Sequence, residues 1–272
     1  MLTEQQVNHF NTYGFVIFRQ LLNPDELKTI NAEVELRLSS TKRYTSPDDE
    51  PAYMSWPNLG PETPFLARLP EDPRIYGTAE RLYGEDAVGL SCNAGSFVNV
   101  THWHPDADDF QLNGFKFAIY LQPLRSDDGA LRFIPGSHRR PFHNEVHQNI
   151  GESGHDVCRV PAYSCETEPG DVVAFDFHLW HASWGGSTDR RMVSIIFIKN
   201  PHTSEEEKAT RKAAAANVQL RATLARNTFD TPGPEYHPHW LENPRKSRKR
   251  QHWIDRMGEL GYLDAPQLQT TV

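Results

Sequence analysis

The stretch Gly170–Ile195 reads GDVVAFDFHLWHASWGGSTDRRMVSI. Gly170 and Asp171 make a turn, and the apolar run after them has the length and composition of a strand. His178 and His181 follow it, then the glycine-rich turn GGSTD, then Arg190 and Arg191 at the head of a second apolar run. Runs of the same kind recur from about Val88 onward: SFVNV, FKFAIYLQPL, ALRFI, DVVAFDF and RMVSIIFI. DDG, PGSH and EPGD punctuate them. Short apolar segments alternating with turn residues are the pattern of an antiparallel sandwich or barrel. The fold class expected is therefore mostly β with flanking helices.

Outside this core the periodicity is helical. Thr3 and Gln6 form a capping-box pattern, which predicts a short helix ending near Gly14, and FVIF (Phe15–Phe18) reads as a strand. Asn23-Pro24-Asp25-Glu26 supplies an N-cap, a first-turn proline and two acids, and Leu27, Ile30, Val34 and Leu38 continue at helical spacing. Ser46–Pro64 is polar and proline-rich, a loop expected to wrap over the body. SEEEKATRKAAAANVQLRATLA is made of strong helix formers, and WIDRMGELGYL predicts a last helix closing on Gly261. The basic run Arg245–Arg250 is read as a solvated lead-in to that helix, in preference to a nuclear signal or anion patch. The chain is thus expected to be one domain: N-terminal helices over about 3–40, a β core over about 88–200 and a helical extension over about 203–265.

With 272 residues the chain can bury a core without disulfides, and its three cysteines form no close pair. A net charge of −8 argues against a general nucleic-acid binder. The N-terminus lacks a signal-peptide layout, and no apolar run approaches a membrane span. A cytoplasmic monomer or homodimer acting on a small molecule is the expectation.

Thr101–Phe110, THWHPDADDF, carries the chemistry. His104 and Asp106 are two apart, so an extended chain projects both from one face, and Pro105 suits a strand leaving its sheet. Such a pair is common by chance. A downstream histidine completes two imidazoles and one carboxylate, the facial set that holds non-haem iron(II) and leaves positions open for a 2-oxo acid and dioxygen. A nearby arginine then has a purpose: it can grip the far carboxylate of 2-oxoglutarate with two parallel hydrogen bonds, about one strand spacing away, ~5 Å. Ten residues separate His181 from Arg191, and the Gly-Gly turn between them is read as a hairpin that sets the two side by side.

These segments carry a family resemblance. HPD at His104–Asp106, GALRFIPGSHR at Gly129–Arg139, GDVVAFDFHLWHAS at Gly170–Ser183 and the following DRRM resemble the phytanoyl-CoA dioxygenase-like family of iron(II)/2-oxoglutarate oxygenases. The opening LTEQQVNHFNTYGFVIFRQLLNPDEL is also similar, and the likeness covers about residues 2–198. It implies a double-stranded β-helix, or jelly roll, with His104, Asp106 and His181 as iron ligands and an arginine of DRRM as cosubstrate anchor. The family's tryptophan–histidine–small pattern selects His181 over His178, which is left as a partly exposed strand histidine. The family's alignment favours Arg191 over Arg190.

Other residues have two readings. Lys116, inside an apolar strand, either pairs a carboxylate of cosubstrate or substrate or faces water on an edge. Thr101 and Ser183 stand beside the ligands and are expected to contact the cosubstrate. His102 shares a face with His104, so a shifted triad is a minor reading, behind a supporting or substrate-contacting role and a structural one; Asp108 and Asp109 are solvated or line the pocket mouth, and His138 serves its turn. Trp103, Trp180 and Trp184 either pack the core or screen the metal from water. Tyr44–Pro64 and His143–Cys165 are the segments expected to shape the substrate pocket.

The function expected is an oxygenase using iron(II), 2-oxoglutarate and O2 to oxidise a small metabolite, of the kind found in secondary metabolism, with release of succinate and CO2. Hydroxylation, desaturation, demethylation or rearrangement all fit. Asp106 fills the position that halogenases of this type vacate for halide. Two other readings are a non-catalytic jelly-roll binding module with a structural or vestigial metal site, and a zinc hydrolase that would have no use for the arginine.

Overall fold

A computed structural model describes residues 2–39, 54–97, 100–151, 156–186, 190–228 and 234–263. The chain begins with α1 (Glu4–Tyr13), β1 (Phe15–Phe18) and α2 (Pro24–Ser39). The capping box is formed: Thr3 Oγ1 accepts the Gln6 N–H, and Gln6 Oε1 accepts the Thr3 N–H. Gly14 ends α1 at φ 87°, a conformation only glycine adopts without strain, so the chain reverses directly into β1. Asn23 caps α2 by accepting the N–H groups of Asp25 and Glu26, while Glu26 accepts that of Asn23.

Next come β2 (Met54–Pro57), α3 (Pro73–Tyr83), β3 (Val88–Phe97), β4 (Thr101–His104), β5 (Gly114–Tyr120) and β6 (Asp128–Phe133). α4 (Phe142–Val146), β7 (Tyr163–Cys165), β8 (Val172–Asp176), β9 (His181–Gly185) and β10 (Arg190–Ile198) complete the core. α5 (Ser204–Thr228), α6 (Pro238–Leu241) and α7 (Arg248–Leu260) form the C-terminal extension. The strands make two antiparallel sheets, ordered β1-β8-β5-β10-β3-β2 and β4-β9-β6-β7. This is the expected jelly roll with flanking helices.

Strand alternation gives the large sheet two different faces. Phe115, Phe117, Ile119, Val172, Ala174, Val193, Ile195 and Phe197 share one cluster with the helices, among them Ile30, Val34, Trp240 and Trp253. Trp253 of α7 is 1 % exposed, stands edge-on to Phe197 and donates its indole N–H to Ala87 O at 3.0 Å. Ala118, Tyr120, Val173 and Phe175 face the other way, toward Ala130, Leu131 and Phe133 of the small sheet. The space between the sheets is therefore apolar at one end, and the chemistry lies toward the other.

Three expectations change. Residues 54–57 of the presumed loop form an edge strand, with Trp56 buried against β3, while residues 40–53 lie outside the described residues. The run after Gly170 is two strands, for Phe177–Trp180 is a turn and His181 opens β9 in the other sheet. His181 and Arg191 are consequently on opposite sheets, and no hairpin joins them. The basic run is not simply solvated: Ser247 caps α7, buried Arg250 pairs with Glu71, and Lys249 pairs with Glu80.

The turn before β8 is stapled to the chain after β1 by Asp171, which is 2 % exposed. It accepts hydrogen bonds from Gln20 N at 2.9 Å, Arg19 Nη1 at 2.6 Å and Glu168 N at 3.1 Å. Burial opposes its charge, but those donors outweigh it and hold the carboxyl below its ordinary value. A lowered folded-state pKa contributes stability that is complete above the unfolded value, ~3.9, and is lost as pH falls through the folded value. Asp171→Asn is expected to cost about 1–3 kcal/mol at pH 7 in urea unfolding. The difference from the parent protein should shrink below about pH 4.

Candidate metal centre

His104 ends β4 and His181 begins β9, and the two pair across the small sheet with ring centroids 4.3 Å apart. Each ring is aimed by its own strand. His104 Nδ1 lies 2.8 Å from the His102 carbonyl, and His181 Nδ1 lies 2.8 Å from the Leu179 carbonyl. A carbonyl only accepts, so both Nδ1 atoms carry the proton and both Nε2 lone pairs are left for a cation. Asp106 follows β4 in a loop whose N–H groups at 106 and 107 both donate to Phe177 O, at 2.7 and 3.0 Å. Phe177 fits there because Gly114 faces its ring: a Cβ on Gly114 would stand 2.2 Å from Phe177 Cε2.

One ligand atom from each of His104, Asp106 and His181 lies within 4.8 Å of the other two. Burial foremost, with the charges of His104 and Lys116, pushes His181 down to about 3 against the pull of Asp106. Its imidazole is neutral near pH 7, as a metal ligand must be. Burial opposes ionisation of Asp106, but Lys116 above all, then His181 and His104, bring its carboxyl below the ordinary value. Two imidazoles and one carboxylate suit iron(II).

Lys116 is on the inner face of β5, and its Nζ donates to Asp106 Oδ1 at 2.7 Å. The edge-strand reading is excluded, because β5 lies between β8 and β10. The contact occupies one carboxylate oxygen and leaves the other for a metal.

Arg191 does not face the interior. Its side chain is on the helix-covered side of β10 and pairs with Glu35 of α2 at 2.6 Å. Arg190 has the opposite parity and is 3 % exposed, donating to Gly129 O at 3.2 Å and to Thr101 Oγ1 at 3.4 Å. Of the two arginines it is therefore Arg190, and not the expected Arg191, whose side chain reaches the interior. Thr101 pairs in register with Ser183, which shares the face of His181 two residues away. Arg190 Nε and Ser183 Oγ are buried with no partner among the described residues. Buried polar groups are nearly always satisfied, so a carboxylate beside these atoms fits the site.

The remaining candidates separate. His178 is 2 % exposed in the β8–β9 turn rather than partly exposed on a strand. Trp103 and Trp180, with Trp184 packed on them, cluster with Ile134, Val146 and Val160 on the outer face of the small sheet. They pack behind the strands that carry His104 and His181. His102 is exposed, as are Asp108 and Asp109, and His138 binds Asn11 O at 3.2 Å, tying its turn to α1. Sequence reasoning missed Asn93 and Ser194, partly open residues paired across β3 and β10 on the inner face. Glu235, from the C-terminal extension, lies 3.0 Å from the Asn93 amide with its nitrogen turned toward it. The parity of β10 already carried that signal: Ser194 shares the face of Arg190.

Solved structures with this fold include HygX from Streptomyces hygroscopicus with nickel and 2-oxoglutarate bound, at TM-score 0.58 and 20 % identity over 75 % of this chain and 89 % of that one. Dioxygenase sphC of Aspergillus fumigatus is 24 % identical over 75 % of this chain, and the ectoine dioxygenase of Bordetella bronchiseptica is 25 % identical over 51 %. The chain spans 61 % and 50 % of the length of those two relatives. The model of the phytanoyl-CoA dioxygenase (PhyH) family matches residues 10–193, an interval that holds His104, Asp106, His181 and both arginines. The chain belongs to the phytanoyl-CoA dioxygenase family.

Proposed function

We propose that the chain is an iron(II)- and 2-oxoglutarate-dependent oxygenase that oxidises a small organic molecule. The observation that carries this is the convergence of His104, Asp106 and His181, both imidazoles tied at Nδ1 with Nε2 free. With iron(II) bound, the centre supplies activation of dioxygen coupled to conversion of 2-oxoglutarate to succinate and CO2. His104 Nε2, His181 Nε2 and one oxygen of Asp106 hold the metal. Lys116 fixes the other Asp106 oxygen and places a positive charge beside the open side of the site. Arg190, with Thr101 and Ser183, takes the distal carboxylate of the cosubstrate. Phe175, 4.8 Å from the His181 ring, closes the apolar end and excludes water from it.

Asn93, Ser194, Met192 and Ile196 form the partly open inner wall, which we assign to the substrate. The reading is of a single domain: helices from both ends share one cluster with the large sheet. It is also of a cytoplasmic enzyme acting as monomer or homodimer without nucleic acid, in keeping with the charge of −8. No helix among the described residues is long and apolar enough to cross a membrane.

The test is aerobic incubation with iron(II), 2-oxoglutarate and candidate metabolites. Succinate is expected in step with substrate loss, and a chelator should abolish both. Turnover with zinc alone, independent of O2 and 2-oxoglutarate, would instead establish a hydrolase. A protein that takes up iron but never forms succinate would be a binding module.

A further inference from the structure

His178 has no part in the chemistry above, yet its side chain is among the most buried polar groups of the chain. Nδ1 lies 3.0 Å from Asp176 Oδ1, and Nε2 lies 3.2 Å from the Asp109 carbonyl oxygen. Asp176 Oδ1 already accepts the backbone N–H of His178 at 2.8 Å, and Oδ2 faces Tyr83 Oη at 3.3 Å. Both ring nitrogens therefore point at acceptors. A neutral imidazole has one N–H and would set its other lone pair against an oxygen; an imidazolium has two.

The two partners belong to different segments. Asp176 ends β8, one turn before His181, and Asp109 lies in the loop that presents Asp106. We propose that His178 is an imidazolium brace, a positioning residue whose two N–H groups lock the Asp106 loop to the turn that delivers His181 and so set the spacing of two metal ligands. The inference rests on the oxygenase reading for the identity of the ligands, not for the geometry of the brace.

The surroundings favour a cation. The Phe110 ring stacks on His178 at 4.4 Å and 14°. Asp176 and the exposed Asp108 supply negative charge, while Tyr83 contributes only its hydroxyl. On the opposing side are His143, 6.4 Å away ring to ring, whose Nδ1–H is spent on the carbonyls of Ser137 and His178, then His138 and Arg140, the last stacked over Phe110. Burial opposes the charge of His178, yet the bonds to Asp176 outweigh it and raise its pKa above the ordinary value. A raised folded-state pKa means the brace is complete below the ordinary histidine value and lost as pH rises through the folded one.

Two measurements test this. Imidazole nitrogen NMR of the metal-free protein should show both His178 nitrogens protonated at pH 7, titrating later than an ordinary histidine; a neutral ring at pH 7 overturns the brace. Cobalt(II) titration should show His178→Gln binding about 10–100-fold more weakly at neutral pH, the range for lost outer-shell support. His178→Arg, which keeps the cation and two donors, should recover most of that loss, and the gap between parent and Gln variant should narrow as pH rises. Equal affinity of parent and His178→Gln at every pH overturns the proposal. Should His178→Gln fail to fold, the NMR result on the parent protein decides. A parent protein that binds no cobalt(II) overturns the oxygenase reading, whereas a neutral ring in a protein that binds it overturns the brace alone.

Discussion

Replacing His181 with alanine is expected to abolish metal uptake and reduce succinate formation by at least about 10³-fold, since a bound metal is worth several kcal/mol and each 1.4 kcal/mol is tenfold. The fold should survive. The His181 ring lies against Phe175 and His104, and its replacement by alanine removes a buried polar group from between them. Asp106→Asn should behave differently. It keeps an oxygen donor but loses the charge that two neutral imidazoles leave to it, and it leaves Lys116 without its anionic partner. Metal affinity should fall while near-neutral stability changes by less than about 1 kcal/mol, because the pair is partly open to solvent. Calorimetric cobalt(II) titration with thermal melts of the metal-free variants separates these outcomes. Wild-type metal affinity in His181→Ala would remove the foundation of the functional reading.

The second large effect divides two adjacent arginines. Arg190→Met should raise the KM for 2-oxoglutarate by about 10²–10³-fold, the range for truncating one partner of a buried, hydrogen-bonded charge pair. Arg191→Met should leave that KM within about threefold, because its guanidinium pairs with Glu35 on the outer face, and such pairs are worth ~0–1 kcal/mol. Steady-state kinetics on both variants checks this directly. The reverse order, with Arg191→Met crippled and Arg190→Met normal, would mean that β10 has the opposite facing in solution.

That arginine pair shows where the sequence stops being readable. Alternation along β10 correctly puts neighbours on opposite faces, but it does not say which face is the cavity. The helix-covered side is the more apolar one, carrying Val193, Ile195 and Phe197, and Arg191 shares its parity at the strand's first turn. The cavity side is Arg190, Met192, Ser194 and Ile196, mixed in polarity because it borders the site. Helices α1 and α2 were legible because their caps are local: Thr3, Gln6, Asn23 and Glu26 do in space what their spacing announces. The break between β8 and β9 was not, since Phe177–Trp180 has neither glycine nor proline and owes its turn to contacts with Gly114 and Ser137 far along the chain. For the same reason His178 read as a strand residue. The grouping of His104, Asp106 and His181 was legible in part: His104 and Asp106 are only two residues apart, while His181 joins them because the chain crosses to the small sheet after β8 and pairs there with β4.

The register of β9 has one more implication. His181 and Ser183 are consecutive inward residues of a single strand, so the step between them is one pleat repeat, about 6.8 Å. No side-chain substitution can stretch that interval, because backbone pairing with both neighbours sets it. In the proposed reading the main chain of β9 is thus a fixed yardstick between His181 and the Ser183 hydroxyl, and any adjustment for the length of a 2-oxo diacid falls to Arg190, which reaches in from the other sheet.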